Sequence, residues 1–201
     1  GWTARGSSQS IEPEHLTETC REIDLAIPSP TTGTCTSLAA DGSGDLAAAL
    51  LGELGDRHFP IRHVHAPLWR TYRLWGFQGM MTMVAERPDL VEYACERYLA
   101  LALASVRESA ALGAAGIWIE DCMTDVISPG AFAQFNAPLV GRLVEGIRAL
   151  RMRSIYYYCG DPSDRWEEIL SIGADADDQR VRDGFHVLGC LRKAPDFQPG
   201  G

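Results

Sequence analysis

Apolar residues along this chain fall into two periods. Three short runs rich in aliphatic and aromatic residues are Ile61-Arg62-His63-Val64-His65-Ala66, Gly116-Ile117-Trp118-Ile119 and Ile155-Tyr156-Tyr157-Tyr158. They alternate with longer stretches in which apolar positions recur every three or four residues. The first kind predicts strands and the second helices. The longest helical stretch opens at Pro88-Asp89, with Asp89 as the expected N-cap and Glu92 completing a capping box. Val91, Cys95, Tyr98, Ala102, Val106 and Ala110 form its apolar face, which makes Cys95 a packing residue, and Gly113 closes it as a left-handed cap. Ser128-Pro129 starts another helix, with a hydroxyl at the N-cap and proline in the first turn. Asp161-Pro162-Ser163-Asp164 starts a third, Arg165–Ile172, which ends at Gly173, and Ala174-Asp175-Ala176 opens a further strand. Between Leu68 and Ala85, Trp69, Tyr72, Trp75, Phe77 and three methionines recur at helical spacing. Such a stripe predicts core, or the wall of a pocket for a large flat ligand.

The periodicity weakens toward both ends. Glu12-Pro13-Glu14-His15 opens a short expected helix through Ile23, Pro28 to Thr34 has loop composition, and Asp45 caps a helix through Leu54 that Gly55 closes. Beyond Asp177 the charged run Asp177-Asp178-Gln179-Arg180 has no period, although Phe185 to Cys190 has the composition of a strand. The expected organisation is a loosely packed lead-in over residues 1–55, βα units over 56–176 and an irregular tail over 177–201. Alternating strands and helices predict an α/β protein with a parallel sheet, whose chemistry gathers at the C-terminal ends of its strands.

Composition narrows the choice. A chain of 201 residues holds one domain with a sizeable core. A net charge of −9 argues against a nucleic-acid surface. No apolar run approaches the roughly 20 residues of a membrane span, and no basic segment precedes an apolar one as in a signal peptide. Six scattered cysteines without a CxxC pair predict a reducing, cytoplasmic setting. The Gly-Trp start, with no initiator Met, reads as a processed product or a fragment.

The chemistry-bearing residues cluster at strand ends. Glu120, Asp121 and Asp125 follow one strand, and Cys159 ends the next. Glu120 and Asp121 alternate in direction, so one of them faces the site. His63 and His65, at i and i+2, share a face, which suits a metal site or two histidines on a wet surface. A carboxylate at the rim can move a proton to or from carbon. A thiolate with carboxylate or histidine can hold zinc. Of the three consecutive tyrosines at least one points inward, so a hydroxyl such as that of Tyr157 can bond a substrate carboxylate or sit satisfied in the core. The opposite reading of the cluster is structural: acids capping a loop beside a buried thiol.

In order along the chain come Ala66-Pro67-Leu68-Trp69, Trp75-Gly76-Phe77, Glu86-Arg87-Pro88-Asp89-Leu90-Val91, Leu112-Gly113-Ala114-Ala115-Gly116-Ile117, Ser128-Pro129, Tyr158-Cys159-Gly160 and Ile172-Gly173-Ala174-Asp175-Ala176. Over about residues 61–176 this series resembles the uroporphyrinogen decarboxylase superfamily, which includes haem-pathway decarboxylases and corrinoid-linked zinc methyltransferases. The resemblance implies a (β/α)8 TIM barrel, here partial or truncated, with its site at the C-terminal rim. It implies zinc at Cys159, the cysteine that ends a strand. With the residues read above, the expected catalytic set is Glu120, Asp121, Asp125 and Tyr157, and the expected metal ligands are Cys159, Glu120, His63 and His65. The chain departs from the family in several respects: the decarboxylases' early Asp, their late His and later strands after Ala176 have no counterpart here, and Cys190 comes too soon after Cys159 to be the methyltransferases' later ligand. No arginine-rich motif stands before residue 60, and Tyr157 occupies the position of the methyltransferases' histidine, two residues before Cys159. The expected function is zinc-thiolate methyl transfer linked to a corrinoid. The alternatives are tetrapyrrole decarboxylation, which needs no cofactor, and a non-catalytic barrel fragment completed by a partner chain. The expected partners are a small-molecule, tetrapyrrole or corrinoid substrate and a second copy in a homodimer, with neither nucleic acid nor membrane.

Overall fold

A computed structural model of the chain describes residues 13, 17–30, 42, 44–55, 57–180 and 186–189. Two helices come first, α1 (Cys20–Ala26) and α2 (Asp45–Leu54). Then follow β1 (Ile61–His65), α3 (Pro67–Glu86), α4 (Pro88–Ala111), β2 (Gly116–Cys122), α5 (Pro129–Phe135), α6 (Ala137–Ala149), β3 (Arg153–Cys159), α7 (Trp166–Ile172), β4 (Ala176–Arg180) and β5 (His186–Gly189). The strands form one sheet in the order β1-β2-β3-β4-β5. β1 to β4 run parallel, each joined to the next by helix, and β5 returns antiparallel to β4. The α/β expectation holds. The antiparallel β5 does not continue the repeating strand-helix order.

The sheet is covered by helices on one face. Along β2, Ile117, Ile119 and Asp121 are fully buried, while Trp118, Glu120 and Cys122 are only partly so. Parallel register carries this partition sideways: Val64, Ile119 and Tyr156 align on the covered face. Against that face pack α3, α4 and α6, through apolar stripes that include Trp75, Met80, Leu99, Val106, Val140 and Leu143. Each of those six side chains is at most 1% exposed. The aromatic and methionine stripe of α3 is therefore core, with Trp69, Tyr72 and Met81 packed at its margin. Cys95 is buried as expected, and burial pushes its thiol well above the usual range.

Several local expectations change. Asp89 is not the N-cap of α4; Arg87 occupies that position and Pro88 is the first helical residue. Proline supplies the ready-made helical φ and lacks only an N–H that would have been unbonded. The Asp89 carboxylate turns back instead onto the Arg87 guanidinium at 2.9 Å. β4 runs through Asp177 to Arg180, the segment that lacks apolar period, because its backbone pairs with β3 from Ile155 to Cys159. Within the N-terminal lead-in, α1 is docked rather than loose. Ile23 and Ile27 are fully buried, Trp75 Nε1 donates to the Thr17 carbonyl at 2.8 Å, and Tyr93 donates to Asp24 at 2.8 Å. The part of the expected first helix before Thr17, Pro13 apart, lies outside the described residues, as do most of the 28–34 loop and all of the tail beyond Gly189.

The stretch from Leu68 to Ala85 is two helical segments joined at Gly76, which has φ 65° and ψ −170°. That backbone region is open essentially only to glycine. The kink lets Trp75 and Gly76 sit buried while the chain redirects toward α4. Gly76→Ala is expected to destabilise the fold by about 1–3 kcal/mol, read as a lower urea midpoint with an unchanged slope.

Candidate functional site

The site is on the other face of the sheet, at the C-terminal ends of β1, β2 and β3. Strand alternation sends His63 and His65, then Glu120 and Cys122, then Tyr157 and Cys159 to this face. Register places them side by side: His63 opposite Trp118, His65 opposite Glu120, Glu120 opposite Tyr157 and Cys122 opposite Cys159. The i, i+2 spacing read from β1 recurs on β2 as Glu120 and Cys122, and on β3 as Tyr157 and Cys159.

Glu120 is the centre of the cluster. Its Oε2 stands 2.9 Å from His63 Nε2 and 2.9 Å from His65 Nδ1. Its Oε1 accepts from the Cys122 thiol at 3.6 Å. The rings of His63 and His65 meet edge to face, with centroids 4.5 Å apart. His65 Nδ1 is buried against the Glu120 carboxylate. Burial, with His63 and Arg70 beside it, lowers the His65 pKa against the opposing pull of Glu120. One ligand atom each from His63, His65 and Glu120 lie within 4.8 Å of one another. Donors about 2.0–2.3 Å from a tetrahedral zinc lie about 3.3–3.8 Å apart, so small side-chain adjustments bring this set onto one ion.

The two thiols complete the face. Both are free and partly buried. Burial raises the Cys122 pKa, and so do the charge of Cys159, the Glu120 carboxylate and a hydrogen bond with Cys159. Tyr157 packs on Trp118 with ring centroids 5.2 Å apart, which gives the cluster an aromatic floor. Asp125 stands over the C-terminal end of β3, where Gly160 leaves room for it: a Cβ added at Gly160 would lie 2.6 Å from that of Asp125.

Asp121 is not in this group. It points to the helix-covered face and is fully buried. There its Oδ2 accepts from Asn136 Nδ2 and from the Tyr156 hydroxyl, each at 2.5 Å. Asn136 stands at the junction of α5 and α6, so Asp121 fixes that break rather than facing the open side. Burial raises its pKa to about 6, although Tyr156, Asn136, Thr124 and the Arg165 charge all pull it down.

Two further residues belong to the site and are absent from the sequence expectations. Cys122 has a signal in the sequence, its i, i+2 relation to Glu120. Arg165 has none beyond its place at the start of a helix. Its guanidinium is 2% exposed and donates to the carbonyls of Thr124 at 2.6 Å and Ile127 at 3.2 Å, while its Nε holds Asp164 at 2.7 Å. Tyr72 donates to the carbonyl of Met123 at 2.8 Å. The loop after β2, which carries Asp125, is thereby fixed from two sides.

The fold and this rim define an α/β protein with a His, Glu and Cys cluster at the C-terminal edge of parallel strands. The model of the family described as uroporphyrinogen decarboxylase (URO-D) matches residues 45–179, more than half of the chain, and the protein belongs to that family. No curated protein matches the sequence significantly. No helix among the described residues is long and apolar enough to cross a membrane.

Asp121 generates a pH test. Its folded pKa is above the ordinary 3.8, so the folded state binds the proton more tightly than the unfolded chain. The associated stability is present below about pH 4 and is lost as pH rises through about 6. A rise of about two in pKa on folding corresponds to on the order of 3 kcal/mol. Relative to Asp121→Asn, the wild type is expected to lose stability by about that amount between pH 4 and pH 7. Parallel urea curves for the two proteins would refute this.

Proposed function

We propose that this chain is a zinc-dependent enzyme of methyl-group transfer, exchanging a methyl group between a small thiol or methyl donor and a corrinoid. The observation that carries the reading is the convergence of His63 and His65 on Glu120, on the same sheet face as Cys159. His63, His65 and Glu120 would hold the metal, with Cys159 as its thiolate ligand. Zinc bound there supplies Lewis acidity and keeps a coordinated thiol deprotonated near neutral pH.

The chain's own residues do the remaining work. His65 turns Nδ1 to Glu120 at 2.9 Å, and a metal there would take the place of the proton they share. Glu120 balances the charge of a cation and fixes the orientation of both rings. Trp118, backed by Tyr157, gives the open face an aromatic contact for a macrocyclic ring. Asp125, in its anchored loop, is placed to exchange a proton with a substrate at the rim. Asp121 acts from behind the sheet as a positioning residue, tying β2 to the α5–α6 junction. In this reading β1 to β4, parallel and in sequence order, are one arc of a (β/α)8 barrel, and the cluster faces its lumen.

Purified protein is expected to contain zinc, and Cys159→Ser and His63→Ala are each expected to lower zinc retention at least tenfold in competition with a chelator. A well-folded wild type without zinc affinity would sink the methyl-transfer reading. Porphyrinogen turnover unchanged in Cys159→Ser would favour decarboxylation instead.

A second reading, a barrel arc completed by a partner chain, draws on one feature. The outer edge of β1 has no strand beside it among the described residues, and Phe59 and Ile61 are exposed there, at 47% each. Unpaired strand edges favour association. Light scattering coupled to size exclusion tests this: a dimer is expected if a partner arc is needed, and a monodisperse monomer with a cooperative melt would reject it.

A further inference from the structure

Two arginines meet at a small cavity between β1, α3 and α4. Strand alternation puts Arg62 on the same face as buried Val64, toward the helices. Its Nη1 is buried and has no hydrogen-bond partner among the described residues. Arg70, from the first turn of α3, lines the same cavity, its guanidinium carbon 5.5 Å from the centre of the Tyr98 ring. Neither arginine forms an ion pair among the described residues, whereas Arg87, Arg97, Arg142, Arg153 and Arg165 each hold a carboxylate. Ser105, two helical turns beyond Tyr98 on α4, brings a hydroxyl to the wall. His63 and His65 border the cavity as well, but no Asp or Glu lines it, since Glu120 is turned to the two imidazoles. We propose that this cavity binds a tetrahedral oxyanion, either inorganic phosphate or the phosphate end of a larger molecule, held by Arg62, Arg70 and Ser105.

Three observations support an anion there. First, a buried guanidinium N–H without an acceptor is costly, and native proteins rarely leave one so. In a chain of net charge −9, a cavity with two arginines and no carboxylate is a local reversal of sign. Burial and the charge of Arg73 push the Arg70 pKa down, as in a cation short of counter-charge. Second, the donors come from three elements, β1, α3 and α4, and so from three directions. A carboxylate offers two oxygens in one plane, while a phosphate offers three or more in a tetrahedron, which guanidinium forks bind in pairs. Third, the cavity measures about 160 Å³. Pockets for drug-sized ligands span roughly 300–1,000 Å³, so this one suits a single small group. The proposal is independent of the metal-dependent reading above: it uses none of the metal ligands as donors.

The test is a calorimetric titration of the full-length protein with inorganic phosphate, with a chelator present so that a metal on His63 and His65 cannot be the receptor. Wild type is expected to bind one phosphate per chain, and acetate at least tenfold more weakly. Arg62→Met and Arg70→Gln are each expected to weaken phosphate binding by roughly tenfold or more, the loss of a charge-assisted hydrogen bond. Arg142→Gln, which removes an equal charge from a surface ion pair with Glu96, is expected to change nothing. Urea unfolding separates a ligand site from a structural arginine. Without phosphate, Arg62→Met is expected to have a higher midpoint than wild type, because an unpaired buried donor is gone, and phosphate is expected to raise the midpoint of wild type alone. Arg62→Lys, which keeps the charge and loses the fork, replaces Arg62→Met if that variant does not fold, and is expected to show the same loss of binding. Ribose 5-phosphate distinguishes the sources: tighter binding than inorganic phosphate assigns the site to the end of a larger ligand, weaker binding to the free ion. No saturable phosphate binding, acetate binding as tight as phosphate, an equal loss in Arg142→Gln, or a lower midpoint for Arg62→Met without phosphate overturns the proposal.

Discussion

The Arg165 guanidinium is the interaction on which the rim depends. A cation this deeply buried is tolerated only where acceptors surround it. Here they are the carbonyls of Thr124 and Ile127 and the carboxylate of Asp164, with the Phe132 ring under the guanidinium at 5.3 Å. Charge-assisted hydrogen bonds of this kind contribute about 1.5–3 kcal/mol each. They join the loop after β2 to the segment after β3. These two connections leave the ends of the strands that carry Glu120, Cys122 and Cys159. With both anchored to one side chain, the two strand ends keep a fixed separation, and the cluster between them is held without support from flexible loops.

The other constraint is the alternation of strand side chains. It assigns apolar residues and Asp121 to the helices, and polar donors to the opposite face. Because β1, β2 and β3 are parallel and in register, a choice made on one strand is repeated on its neighbours. Two histidines, a glutamate and two cysteines, dispersed over nearly a hundred positions of sequence, become a single patch by this repetition.

Much of this is legible in the residues. The β-branched and aromatic runs of β1, β2 and β3, the apolar face of α4 and the glycine stops at Gly113 and Gly173 are readable because each signal is local. The sharing of one face by His63 and His65 follows from spacing alone. Where the sequence misleads, a distant partner decides the outcome. Asp177 to Arg180 form a strand because the backbone of β3 is there to pair with, a fact with no trace in their own composition. The choice between Glu120 and Asp121 rests on which face the helices cover. Asp121 is drawn under them by Asn136 and Tyr156, donors 15 and 35 residues away in sequence. The barrel implied by resemblance remains a proposal: the described sheet has four parallel strands and an antiparallel fifth.

The adjacency of Glu120 and Asp121 has a further consequence. Two carboxylates joined by one peptide bond would ordinarily repel. The pleat places a sheet between them, one acid in a dry compartment and the other in a wet one, so the backbone acts as a dielectric wall. Their separation is a property of register rather than of composition. A single residue inserted before Glu120 within β2 would exchange the compartments, burying the histidine-facing carboxylate beneath the helices and sending the structural one into the open. The dipeptide would be intact, and both of its roles would be lost.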